Sequence, residues 1–253
     1  MRRICRWLFL CLVPIYIWGK STIENSAVKK YEEMLIPFIG LDDLSEIKSI
    51  AASLSKELEK KSNDPVKLLE LAILYHNLSN YGFRKGYRGY AEKAFNILRD
   101  LYNNQIDEAL IPFVLVYLGS SRALMGNESS NPVKKTVFVK EALKYLDRAA
   151  KQYSNITYVV PLIRGNVCIS LPDFFNREKT AWKDFRYLEK KYSEDEGSIP
   201  GGVMCNVFFN LGALYKKEGK IEKTIEYWKK VYQLCPNTSL GKKAKFLIDI
   251  YTE

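Results

Sequence analysis

The sequence predicts an all-α chain: a helical-repeat solenoid of about four irregular helix pairs, with a capping helix at each end. Three observations predict it. Apolar residues recur at +3, +4 and +7 in segment after segment, the spacing of one helix face. The segments are helix-sized and are punctuated by Gly or Pro. Small residues sit inside the apolar stripes, where a neighbouring helix must pass too close for a larger side chain. No stretch reads as a strand; Thr157-Tyr158-Val159-Val160 is β-prone but leads into a helix-length segment.

Taken in order, Met1–Arg6 is basic and Trp7–Trp18 is a twelve-residue apolar run, followed by the small residues Gly19 and Ser21. The run is shorter than the roughly 20 residues that span a bilayer. Residues 1–21 therefore read as a secretory signal peptide, and the bulky Trp18 near the cleavage region keeps an uncleaved N-terminal anchor as the alternative. The mature chain is expected outside the cytoplasm, in a periplasm, on a cell surface or secreted. Residues 22–62 form a helical lead-in, broken at Pro37 and Gly40 and resumed by a helix that Asp42 or Asp43 caps. Residues 63–253 carry the repeats, opening at Asn63-Asp64-Pro65, a cap followed by proline at the first helical position.

Leu71, Ala72 and Tyr75 begin a first helix, and Ala91, Phe95 and Leu98 its partner, with an insertion, NLSNYGFRKGYRG, between them. Leu118-Gly119 marks the next first helix, and Ala142, Leu146 and Ala149 its partner. Gly165 and Cys168 belong to the third, partnered by Ala181, Phe185 and Leu188. In the fourth, Phe208, Leu211, Gly212 and Tyr215 share one face. Gly219 ends that helix, Ile221, Ile225, Trp228, Val231 and Tyr232 form the second stripe, and Pro236 stops it. A terminal helix, Leu240–Tyr251, covers the end of the stack, as repeat arrays require.

The segment Phe208–Pro236 resembles the tetratricopeptide repeat (TPR), a helix–turn–helix unit of about 34 residues. Leu211, Gly212, Tyr215, Trp228 and Pro236 stand at signature positions, while Thr224 and Val231 replace the two usual alanines. The earlier units match less closely and are more widely spaced, which loop insertions explain. Arg164-Gly165 with Ser170-Leu171-Pro172 and Phe174-Phe175 is also similar to a group of exported bacterial repeat proteins. The resemblance implies a right-handed superhelix whose concave face, lined by the first helices, binds an extended peptide or a partner helix. Carried over position by position, that groove would present His76, Asn77, Phe113, Val116, Ser120, Leu162, Asn166, Ile169, Asn206, Phe209 and Lys216. In the same register Arg164 falls where the family places buried leucine, so it needs a carboxylate, with Asp147 and Asp184 as candidates.

Composition narrows the function. Removing the four basic residues of 1–21 leaves 35 basic against 29 acidic groups, a charge of +6 that falls short of a dedicated nucleic-acid binder. The single histidine, His76, excludes a metal site built from several histidines. An enzyme would have to use His76 with a cysteine or a serine–aspartate pair in a cleft; no enzyme, cofactor or metal is expected. Phe83–Tyr90 interleaves cations with aromatics, and the C-terminal third is rich in lysine; solvated faces are the reading, with an anionic partner such as lipid headgroups or an acidic peptide as the alternative. Cys168, Cys205 and Cys235 are an odd number and read as buried small hydrophobes, with a Cys205–Cys235 bridge left open. The expected function is thus an extracytoplasmic scaffold or adaptor that binds a protein or peptide, the alternative being a ligand-binding accessory of a solute transporter or envelope assembly.

Overall fold

The computed structural model of the protein describes residues 25–60 and 63–252. The signal or anchor assigned to residues 1–21 lies outside them. The described residues form eleven α-helices and no strand, so the all-α class is correct: α1 (Asn25–Leu35), α2 (Leu44–Lys60), α3 (Pro65–Gly82), α4 (Tyr90–Asn103), α5 (Ile111–Glu128), α6 (Pro132–Tyr153), α7 (Val159–Ser170), α8 (Glu178–Glu194), α9 (Gly201–Lys217), α10 (Ile221–Leu234) and α11 (Ser239–Thr252).

The caps fall where the sequence puts them. The Asp43 carboxylate accepts from the backbone N–H groups of Ser45 and Glu46 at the start of α2. Asp64 does the same for Val66 and Lys67 ahead of α3, with Pro65 at its first position. Asn131, not expected as a cap, does the same for Val133 and Lys134 ahead of α6. These side chains satisfy backbone donors that a helix start leaves unpaired. After α9 the chain turns at Gly219, whose φ of +74° is a left-handed conformation that glycine adopts without a Cβ penalty.

One expectation is corrected. The segment NLSNYGFRKGYRG is not a long loop: α3 runs on through Gly82, and only 83–89 turn back. Glu128, at the end of α5, holds this turn by accepting from the Ser79 hydroxyl at 2.6 Å and the Gly89 N–H at 2.9 Å.

Neighbours in sequence pack as pairs, α3 with α4, α5 with α6, α7 with α8 and α9 with α10, while α2 covers α3 and α11 covers α10. The odd-numbered helices also touch one another in series, α3–α5–α7–α9–α11. They are apolar on several sides because they are packed on several sides. Every residue from Pro112 to Ser121 of α5 is buried. The span Glu108–Glu128 is long and apolar enough to cross a membrane, yet most of it is buried inside the protein as a core helix.

Where pairs meet, glycines admit bulky partners. A Cβ on Gly119 would lie 2.8 Å from Leu146, one on Gly165 2.8 Å from Phe185, and one on Gly212 2.6 Å from Trp228. Contacts that close do not exist between real atoms, so these helices approach to a distance only glycine permits.

Candidate binding cleft

The odd-numbered helices line a cleft of about 1030 Å³, joined by the first turns of α6 and by the loops around Gly40, Pro172 and Thr238. α4, α8 and α10 contribute no side chain to it. At one end the Ser239 hydroxyl donates to Asp42 Oδ2 at 2.6 Å, joining residues 197 apart in sequence. The cleft is therefore bounded by the two ends of the described chain, not only by its middle.

On the α3–α5 wall His76, Asn77 and Ser120 are satisfied by one another and by the backbone. The Asn77 NH2 donates to the backbone carbonyls of Phe38 and Leu41 at 2.8 and 3.3 Å. Carbonyls only accept, so this fixes the amide and turns its oxygen toward His76 Nδ1, 3.1 Å away. Nδ1 then carries the ring proton, and Nε2 accepts from the Ser120 hydroxyl at 2.8 Å. The ring is 5% exposed, and burial holds its pKa at about 4, well below the usual 6.5. Tyr117 meets it edge-on with ring centroids 5.1 Å apart. His76 is thus a neutral group that fastens α3 to α5.

The α7–α9 wall is built on three asparagines. The Asn210 NH2 donates to Asn166 Oδ1 at 2.8 Å and to Asn206 Oδ1 at 3.1 Å. Asn166 and Asn206, whose oxygens are engaged in this way, both line the cleft. Of the charged residues around the cleft, Asp42 is engaged by Ser239, while Lys135 and Lys243 meet no carboxylate among the described residues. Leu162, Ile163, Val167, Val203 and Leu240 supply the apolar surface between these donors.

Of the eleven groove positions carried over from the repeat resemblance, His76, Asn77, Ser120, Leu162, Asn166 and Asn206 do come together here. The other five do not. Phe113 and Val116 are fully buried, because α5 has neighbours on every side and no free face at those positions. Ile169 instead lines a separate recess of about 220 Å³ beside Arg177 and Lys217. Phe209 stacks on Trp228, 6.0 Å between centroids, with Lys243 over it. Lys216 sits over Tyr251 of the terminal helix. The last two are taken up by α11, which crosses the end of the row.

Asn80, Asn127, Tyr81 and Tyr117 also line the cleft without having been expected there. Asn80 lies one turn beyond His76, and Asn127 two turns beyond Ser120, so extending each helical stripe would have found them. Phe174 and Phe175, the aromatic pair of the loop after α7, stand at the cleft with ring centroids 4.4 Å apart; Phe174 is exposed.

Leu211, Gly212 and Trp228 are buried, Pro236 is exposed, and Tyr215 stacks on Tyr227 at 5.3 Å. Arg164 finds its carboxylate. Its guanidinium donates to both oxygens of Asp184, at 2.7 and 2.6 Å, and lies 3.6 Å from Asp147. Asp147 in turn accepts two hydrogen bonds from Arg177. This clamp locks α7 to α8, reaches α6 through Asp147, and contributes no side chain to the cleft. The cysteine expectation is revised: Cys205 and Cys235 form a disulfide, their Cα atoms 6.5 Å apart, because antiparallel α9 and α10 bring the start of one to the end of the other. Cys168 stays free and buried, which pushes its thiol pKa up to about 12.

No protein-family model matches the chain, and neither a curated protein nor a solved structure matches it.

Proposed function

We propose that the chain is a non-catalytic binding protein, a solenoid of four TPR-like helix pairs that holds a peptide or a segment of a partner protein in the cleft of its odd-numbered helices. The observation that carries this reading is the mixed lining of the cleft. The Asn166 and Asn206 amides of the α7–α9 wall, whose oxygens accept from Asn210, and the Lys135 ammonium of α6 stand around an apolar floor. An extended peptide supplies what that wall lacks: carbonyl acceptors at regular intervals and apolar side chains between them. Nucleophilic chemistry fits less well. Ser120, His76 and Asn77 are aligned as nucleophile, base and orienter, but Ser120 is inside α5, where backbone N–H groups are committed to the helix and none is left for an oxyanion. A histidine held at about 4 is also a weak base. An extracytoplasmic location is part of the proposal; the basic and apolar N-terminal segment and the Cys205–Cys235 bridge both suit an oxidising compartment.

The experiment is selection of random peptides on the full chain, followed by affinity measurement on Asn166→Ala with Asn206→Ala. Enriched peptides should bind the double variant at least about tenfold more weakly, each lost hydrogen bond being worth about 1 kcal/mol. Failure to enrich any sequence, or equal binding by the variant, rejects the peptide reading. A second reading, capture of a small solute for a transporter or envelope assembly, is favoured by the Ser239–Asp42 closure and by a volume near the top of the range for small-molecule sites, about 300–1000 Å³. Ser239→Ala separates them: opening that end should leave a peptide bound and release a small solute.

A further inference from the structure

The terminal helix α11 has two faces. Gly241, Ala244 and Ile248 are buried against α9 and α10. On the opposite side Lys242, Phe246 and Ile250 follow one another at steps of four, with Phe246 64% and Ile250 52% exposed. Tyr232, near the end of the neighbouring α10, is also 39% exposed. Lys229, one turn before Tyr232, adds a further exposed cation. The result is an apolar strip edged by Lys229, Lys242 and Lys245, with Asp249 tied to Lys245 at 2.5 Å.

We infer that this face of α11 docks on an anionic lipid surface. Large exposed apolar side chains in one contiguous strip mark a contact site more often than a solvated face. The charge pattern selects the partner. A second copy of the chain would bring lysine edges against lysine edges, with only the already engaged Asp249 to meet them. A bilayer with acidic headgroups neutralises the lysines, takes Phe246 and Ile250 below the headgroup level, and suits the amphipathic ring of Tyr232 at the boundary. The strip lies on the outer face of α11, whereas Lys243 and Leu240 of the same helix face the cleft. The inference stands whether the cleft holds a peptide or a solute.

The test uses the full chain with vesicles of phosphatidylcholine, with and without phosphatidylglycerol, read by amide hydrogen exchange over residues 242–250. Exchange there should slow at least about tenfold with the anionic vesicles and stay unchanged with the neutral ones. Phe246→Ser with Ile250→Ser should abolish that protection while the circular dichroism is kept, since both side chains are exposed. Because wild type and variant share the same N-terminal segment, any membrane affinity of that segment cancels in this local readout. Unchanged exchange on anionic vesicles overturns the inference. So does a concentration-dependent dimer that the double substitution dissolves, and so does protection by polyglutamate without protection by vesicles.

Discussion

The α7–α8 and α9–α10 pairs share one geometry and are locked in two different ways. In each, a glycine of the first helix receives an aromatic ring from the second, Phe185 over Gly165 and Trp228 over Gly212. Around that contact the chemistry diverges. Before its glycine, α7 carries Arg164, and before its aromatic, α8 carries Asp184; these two form a bidentate ion pair. At the corresponding positions α9–α10 has Leu211 and Tyr227, both buried, and it adds the Cys205–Cys235 bridge at the far end. The glycine–aromatic contact therefore sets how closely the helices approach, while the neighbouring positions are free to be ionic or apolar.

The largest effect should come from breaking the ionic lock on one side. The Arg164 side chain is 12% exposed and that of Asp184 is 4%, so Asp184→Ala leaves a mostly buried cation with only its 3.6 Å contact to Asp147, a carboxylate shared with Arg177. It should cost about 3–5 kcal/mol in urea unfolding, the range for a buried pair that loses one partner. Arg164→Leu with Asp184→Leu makes the site resemble its counterpart in α9–α10 and should fall within about 1 kcal/mol of the parent, because neither desolvated charge remains. A double variant as unstable as the single one would show that the two locks are not interchangeable.

The covalent lock has its own expected size. Cys205→Ser with Cys235→Ser opens a loop of 30 residues and should lower stability by about 3 kcal/mol. Reductant should do the same to the wild type and leave the increment from Asp184→Ala unchanged, since the two locks lie in different pairs and share no residue.

Acid sharpens the contrast by acting on a third joint, α3–α5. His76 titrates near 6.5 when unfolded and near 4 when folded. Between those values the unfolded chain binds more protons, so this contribution is complete above pH 6.5 and is lost as pH falls toward 4. The loss should amount to about 3 kcal/mol, at 1.36 kcal/mol per pKa unit. His76→Gln should remove that part of the slope, measured as unfolding midpoint against pH. A slope unchanged in the variant would mean that His76 is not held neutral.

How far the sequence exposed these features depended on whether their cause was local. Helix caps at Asp43 and Asp64 and the stripes of α8 and α10 are set within a few residues, and they were legible. Arg164 was legible as an oddity, because a cation in an apolar stripe demands an acid, and Asp184 sits one turn-face away on the partner helix. The cleft was only half legible. Its residues depend on how α11 crosses the row: that crossing covers Phe209 and Lys216 and brings Ser239 to Asp42, a contact no short-range pattern carries. Phe113 and Val116 were misplaced because α5 is apolar nearly all round, and a stripe with no polar edge does not say which side is empty. The Asn166–Asn210–Asn206 ladder had a faint signal, two asparagines four apart on an apolar helix, whose meaning required the neighbouring helix.

The smallest effect tests the shared geometry itself. Alanine in place of either glycine gains up to about 1 kcal/mol of helix propensity. Against that, the new methyl group meets an aromatic ring, and overpacking of this kind costs about 1–3 kcal/mol. The balance should differ between the pairs. At Gly165 the nearest atoms are all on Phe185, at 2.8, 2.9 and 3.2 Å, and no hydrogen bond anchors this ring. At Gly212 two atoms of Trp228 lie at 2.6 Å and the Thr224 carbonyl at 3.3 Å, while the indole is held by its hydrogen bond to the Phe209 carbonyl and its stack on the Phe209 ring. Gly212→Ala should therefore destabilise by about 2 kcal/mol and Gly165→Ala by less than about 1 kcal/mol. Equal costs would mean that the ring's attachments do not matter, and a stabilised Gly212→Ala would remove the glycine–aromatic contact as the element that sets the spacing of both pairs.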